Sequence, residues 1–197
     1  METRESGETK RVQHFHESVW IGPGAQIYGE VAIAEGASVW PHAVIRAECN
    51  AVAIGRMTNI QDFVMIHVGF DHGVRIGEFC SITHHATVHG ATIEDHCLIG
   101  INATLMDGCV IGRGSIVAGG ALVREGAVFP TNSVIAGTPA KVIRERDSAR
   151  ANRLNAWIYN RNAAFYARGE HRAWEGPEYR AWLADLEARV ERDADLE

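Results

Sequence analysis

Large apolar residues recur along this chain at a spacing of six. Ile21, Ile27, Ile33, Val39 and Ile45 begin the series, followed by Ile54, Ile60 and Ile66, then Ile76, Ile82 and Val88. Ile93, Ile99, Leu105, Ile111, Val117, Val123, Phe129 and Ile135 continue it. Of the 18 intervals between these marks, 15 are six residues long, the exceptions being 45 to 54, 66 to 76 and 88 to 93. A helix repeats at about 3.6 residues and a strand at about 2, so neither sustains this count. Four residues after the marks stand mostly small side chains, among them Ala25, Ala37, Ala43, Thr58, Ala86, Ala103, Ser115, Ala121 and Ser133, with Phe70 the bulky exception. A branched residue and a small one alternating in a six-residue unit is the pattern of a triangular parallel β-helix. Each unit is one short side, the branched residue fills the prism, and the small one lets the chain turn. About six coils are expected over residues 19–138, after a polar segment 1–18.

Two details follow from the register. Cys49, Cys80, Cys97 and Cys109 all fall in the small slot, which predicts small buried hydrophobes rather than disulfides or metal ligands. Gly22, Gly55, Gly77, Gly100 and Gly112 directly follow a mark, which predicts turns with positive φ there.

Beyond Pro139 the six-residue period gives way to helix formers. Leu154, Trp157, Ile158, Phe165 and Tyr166 at helical spacing predict a helix over 148–168, ended by Gly169. A second follows Gly176-Pro177, with Tyr179, Trp182, Leu183, Leu186 and Val190 on one stripe. Both are expected to pack on the side of the solenoid. The fold class is therefore an all-β solenoid with a C-terminal helical segment of residues 139–197.

Composition narrows the function classes. A net charge of −6 leaves no cationic excess to neutralise phosphates, which argues against nucleic acid as partner. No apolar run is long enough to span a bilayer. The opening METRESGETKRVQHFHES carries four Glu and no apolar stretch, so neither a secretory signal nor a transit peptide is expected, and the cytoplasm is the expected compartment.

Ten histidines are a surplus. Winding the coil places equivalent slots of successive coils about 5 Å apart. Ile45, Ile66, Val88 and Leu105 then share a face, so the following residues Arg46, His67, His89 and Met106 form an outward column. On the preceding face Ile60 stacks on Ile82, placing Asp62 under His84 with Gln61 beside it. Two imidazoles in one column can converge on one metal with bonds of about 2.0–2.1 Å. His84 lies on another side of the prism, so a three-histidine site needs a neighbouring chain. The simplest closed ring of such heterologous contacts is a homotrimer. His14, His16, His42, His72, His85, His96 and His171 carry the ordinary reading of surface or hydrogen-bonding histidines.

SVWPHAVIR (38–46), NIQDFVMIH (59–67), ITHHATVHG (82–90), LIGINATLMDGCVIGRGSIVAGGALV (98–123) and VIAGTPAKVIRE (134–145) resemble, in order and spacing, the γ-type carbonic anhydrase family. The resemblance implies a left-handed β-helix, a homotrimer, and zinc held by His67 and His89 of one subunit and His84 of the next. It implies hydration of CO2 to bicarbonate, with Gln61 and Asn59 orienting water or bicarbonate. Arg46 and Asp62 match an ion pair between subunits, and Tyr166 a site tyrosine on the C-terminal helix. Iron or cobalt would accept the same ligands as zinc. Departures are visible: Ala47-Glu48 stand where the family has Gly-Asp, and Thr83 replaces a glycine. The loop between Ile66 and Ile76 is short, with only Asp71 and His72 as proton carriers. Alternatives on the same scaffold are a metal-dependent acyl-CoA thioesterase, a catalytically silent metal-binding protein, and a hexapeptide acyltransferase with a lone catalytic His and no metal.

Overall fold

The computed structural model describes residues 13–194, and part of the expected N-terminal polar segment, residues 1–12, lies outside them. The repeat winds into a parallel β-solenoid with three faces. The first face stacks Trp20–Ile21, Ser38–Val39, Asn59–Ile60, Ser81–Ile82, Leu98–Ile99, Ile116–Val117 and Ser133–Gly137. The second contains Met65–His67, Thr87–His89, Thr104–Leu105 and Leu122–Val123. The third contains Val74–Ile76, Thr92–Ile93, Val110–Ile111 and Val128–Phe129. Gln26–Ile33 and Val44–Ile54 run unbroken round the corner between second and third faces, joining them into one sheet.

Register follows the marks: Ile45 pairs with Ile66, Ile66 with Val88, and Val88 with Leu105. Their side chains are fully buried, as are Ile60, Ile82, Ile99 and Ile111, so the core is a single column of branched residues. The winding starts earlier than residue 19, because Gln13–Phe15 already pairs in parallel with Val31–Ile33. At the far end Ala140–Glu145 folds back antiparallel on Ser133–Gly137.

The corners differ from expectation. Positive φ falls three residues after the mark, at Gly24, Gly36 and Gly114 but also at His42, Met57, Phe63, Phe79, His85, His96, Asn102 and Asn132. The left-handed region costs a non-glycine residue about 1–2 kcal/mol, and stacking between coils offsets it. His42, Phe63 and His85 form one ladder, with ring centroids 5.2 and 5.0 Å apart, and Phe79 stacks on His96 at 5.4 Å. The glycines directly after the marks have ordinary φ, and their role is close approach between coils. A Cβ on Gly100 would stand 2.5 Å from Gly119 N, and one on Gly112 2.4 Å from Thr131 N.

Three of the four thiols behave as small core residues. Cys80, Cys97 and Cys109 are buried; burial pushes Cys109 up to about 12 and, together with its neighbour Cys97, raises Cys80 well above the usual thiol range. Cys49 is the correction: it is exposed, because the nine-residue step from Ile45 to Ile54 carries it out of the wall.

The helices are α1, Ala149–Tyr166, and α2, Gly176–Glu191. α1 lies on the first face, and its buried residues are Ala149, Asn152, Arg153, Ala156, Asn162 and Ala163 rather than the aromatics. Small side chains bring the helix close enough for amides to reach the coils. Asn152 Nδ2 donates to His96 O (2.8 Å), Asn155 Nδ2 to Ser81 Oγ (2.8 Å) and Asn160 Nδ2 to Gly36 O (2.8 Å). α2 packs chiefly on α1, where Leu186 and Val190 meet Ala149, Leu154 and Trp157. Among the described residues no helix is long and apolar enough to cross a membrane.

Two outcomes are expected. Gly100→Ala forces the next coil away and lowers stability by about 1–3 kcal/mol, measured by urea unfolding. His96 is buried on Phe79, and burial, followed by the charges of Arg113 and Arg153, lowers its pKa to about 4. The unfolded chain binds that proton near pH 6.5, so the stability held by neutral His96 is present above that pH and lost as pH falls towards 4. His96→Asn keeps the left-handed backbone without the titration. Its destabilisation relative to the parent protein should therefore be largest at pH 7 and shrink by pH 4.5, as read from unfolding midpoints.

Candidate metal centre

The second face brings the expected column together: Arg46 pairs in register with His67, and His67 with His89. His67 Nδ1 lies 3.0 Å from His89 Nε2, with the rings 4.9 Å apart. Each ring's other nitrogen meets a carboxylate. His67 Nε2 is 3.1 Å from Glu48 Oε2, and His89 Nδ1 is 2.7 Å from Asp107 Oδ2. An ionised carboxylate can only accept, so the outer nitrogens donate; with both rings neutral, the two inner nitrogens present lone pairs to each other. A proton or a metal cation held between them relieves that repulsion. Two nitrogens bound tetrahedrally to one zinc ion stand about 3.3 Å apart, close to the spacing here. The donor set therefore fits a metal of the zinc type.

His84 occupies the corner between first and second faces, and its Nδ1 is 3.0 Å from Asp62 Oδ2. All three candidate ligands thus have one nitrogen engaged by a carboxylate, the arrangement usual for metal-binding histidines. Among the described residues of this one chain, no three His, Cys, Asp or Glu side chains are grouped to hold a metal.

Arg46 pairs with Glu48 rather than with Asp62 of its own chain. Burial opposes ionisation of Glu48, but its backbone hydrogen bond, the charge of Arg46 and the contact with His67 outweigh this and hold its carboxyl below the usual range. Gln61 and Asn59 are both buried beneath α1. Gln61 Nε2 donates to Asn59 Oδ1 (2.9 Å), and Asn59 Nδ2 donates to Ser81 Oγ (3.0 Å). Asn59 thus orients the Gln61 amide. Tyr166 packs in an aromatic cluster with Trp40, Trp20 and His171. Asp71 and His72 lie at the rim of an open hollow that His89, Asp107 and Glu125 also line.

Two residues escaped the sequence reading. Asp107 directly follows Met106, where the column was taken to end, and the signal was an acidic residue one coil beyond a candidate ligand. Tyr159 stands two helical turns before Tyr166 and meets the same Trp40 edge-to-face. Burial, then the nearby charge of Asp62, then Tyr166 raise its phenol to about 12.

A hexapeptide β-helix carrying three carboxylate-backed histidines is one class of protein, and the comparisons agree on the repeat. The family model "Bacterial transferase hexapeptide (six repeats)" matches residues 14–47 and 90–125. A probable carbonic anhydrase of Methanocaldococcus jannaschii is 52% identical over 128 residues, covering 65% of this chain and 80% of that protein. Gamma carbonic anhydrase 1, mitochondrial, of Arabidopsis thaliana is 39% identical over 132 residues, covering 64% of this chain. The chain spans about half the length of that plant relative (48%). Among solved structures, a putative acetyltransferase of Bacillus cereus superposes with a TM-score of 0.79 at 27% identity, covering 82% of this chain and 95% of that one. The chain belongs to the γ-class carbonic anhydrase family of hexapeptide-repeat proteins.

Asn59→Ala leaves the buried Gln61 amide without its acceptor and removes one of the two amides that Ser81 Oγ receives. The expected loss is about 1–3 kcal/mol of stability, measured by thermal and urea unfolding.

Proposed function

We propose that this protein is a zinc-dependent carbonic anhydrase that converts CO2 and water to bicarbonate and a proton. His67 and His89 of one subunit and His84 of the next hold the metal in a homotrimer. The observation that carries the reading is the pair of facing ring nitrogens of His67 and His89, 3.0 Å apart, with the other nitrogen of each ring on a carboxylate. The 52% identity to a probable carbonic anhydrase supports the same reaction.

When bound, zinc on three neutral imidazoles acts as a Lewis acid that makes water acidic enough to ionise near neutral pH. The chain's own residues do the rest. Glu48, Asp107 and Asp62 accept from the outer ring nitrogens and keep the three rings oriented towards the metal. Gln61, its amide fixed by Asn59, directs its side-chain oxygen to the reacting water and holds the product bicarbonate by its remaining N–H. Arg46, extending from the column at the subunit boundary, draws the neighbour's Asp62 and sets the spacing between the two halves of the site. The released proton passes to His72 or Asp71 at the rim of the hollow. Tyr166 caps the aromatic wall under α1. Four free thiols suit a reducing compartment, and we place the enzyme in the cytoplasm.

Subunit sharing gives the decisive measurement. His84→Ala and His89→Ala chains each bind little zinc alone. Unfolded together and refolded as a mixture, they regain up to one zinc per mixed trimer, because one interface then joins an intact His67–His89 pair to an intact His84. Metal analysis after gel filtration reads this, and stopped-flow CO2 hydration should return with the metal. Parent protein that takes up no zinc after careful loading, or mixtures that regain none, would sink the shared site. Metal uptake with negligible CO2 hydration but appreciable acyl-CoA hydrolysis replaces the reaction by thioester hydrolysis.

A further inference from the structure

We infer that Asp107 is a positioning residue that sets the tautomer of His89 and so decides which ring nitrogen is offered to the metal. The inference rests on the reading of His89 as a ligand. Asp107 Oδ2 accepts from His89 Nδ1 at 2.7 Å, the shortest of the three carboxylate–histidine contacts around the site. With the proton held on Nδ1, a neutral His89 has its lone pair on Nε2, the atom that faces His67.

The backbone around Asp107 is shaped to hold it. A Cβ on Gly69 would stand 1.9 Å from Asp107 Oδ1, and one on Gly90 would stand 2.2 Å from the same oxygen. The carboxylate therefore lies in a slot that two glycines from neighbouring coils leave open. Gly90 also has φ +55 and directly follows His89, so the turn that makes room for the carboxylate also aims the ring. Asp107 itself is anchored by register: Thr104 and Leu105 pair with Thr87 and Val88, and Asp107 O accepts from Gly126 N at 2.8 Å. Asp107 needs no contact with substrate or metal; it works through the imidazole.

The test uses the full-length protein. Nitrogen-15 correlation spectra of the histidine rings in metal-free protein at neutral pH report which nitrogen carries the proton. In the parent protein His89 should show Nδ1–H with a bare Nε2, and in Asp107→Asn that signature should be lost or mixed. Zinc affinity, measured by competition with a chromophoric chelator, should fall about 10- to 100-fold in Asp107→Asn. The unfolding midpoint of the metal-free variant should move little, because the substitution is isosteric. Should Asp107→Asn fail to fold, Gly69→Ala displaces the carboxylate from the other side and should shift the tautomer and affinity in the same direction. A parent His89 protonated on Nε2, or a variant with unchanged tautomer and unchanged affinity, overturns the inference. A parent protein with no zinc affinity overturns the proposed reaction instead, and the ring spectra still decide the role of Asp107.

Discussion

In-register parallel pairing between successive coils is the constraint on which this structure depends. Most strands contribute only two or three residues, too few to be stable alone, and gain their hydrogen bonds and buried neighbours from the coils on either side. Because the pairing is in register, identical slots fall one above another, and a chemical column is written as residues roughly twenty apart in the chain. Arg46, His67 and His89 are such a column, and so are the buried Ile45, Ile66 and Val88 directly beneath them. The interior that stabilises the coil and the exterior that carries the candidate chemistry are therefore set by the same register, and a slip of one residue would lose both.

Much of this was legible because the repeat is dense. The six-residue spacing alone places His67 over His89 and Asp62 under His84, and the structure has those pairs in contact. What was not legible lies where position depends on something other than the period. The column reading stopped at Met106, although the residue beside it turns its carboxylate diagonally back to His89. Cys49 obeys the count of four after a mark yet is exposed, since the longer step that follows it lifts the strand outward. The glycines directly after the marks were assigned to positive-φ turns, while the actual corners lie two residues on and accept His and Phe, which stack between coils, as well as glycine. The glycines instead stand where two backbones approach too closely for any side chain.

The C-terminal helix shows a similar inversion. Its aromatics are the obvious packing residues, but Ala, Asn and Arg153 form the buried set, and the amides bind the backbone and a serine hydroxyl of the coils. Tyr159 and Tyr166 gather around Trp40, whose backbone N–H donates to Ile60 O between Asn59 and Gln61. Helix and candidate site are joined through Ser81, whose hydroxyl receives amides from both Asn155 and Asn59. A shift of the helix along the solenoid would thus be felt by Gln61 within three hydrogen bonds.

The reversed strand Ala140–Glu145 bears on a different property, the growth of the stack. A column of parallel strands with matching rungs has the same repeat that lets protein fibrils elongate, each end serving as a template for the next layer. On the first face the last parallel rung, Ser133–Gly137, has its open edge taken by a strand running the other way. That strand carries Lys141, Arg144 and Glu145 along its exposed length. An arriving coil would meet opposed polarity and fixed charge where it needs an open parallel edge, so on this face the solenoid has a last layer.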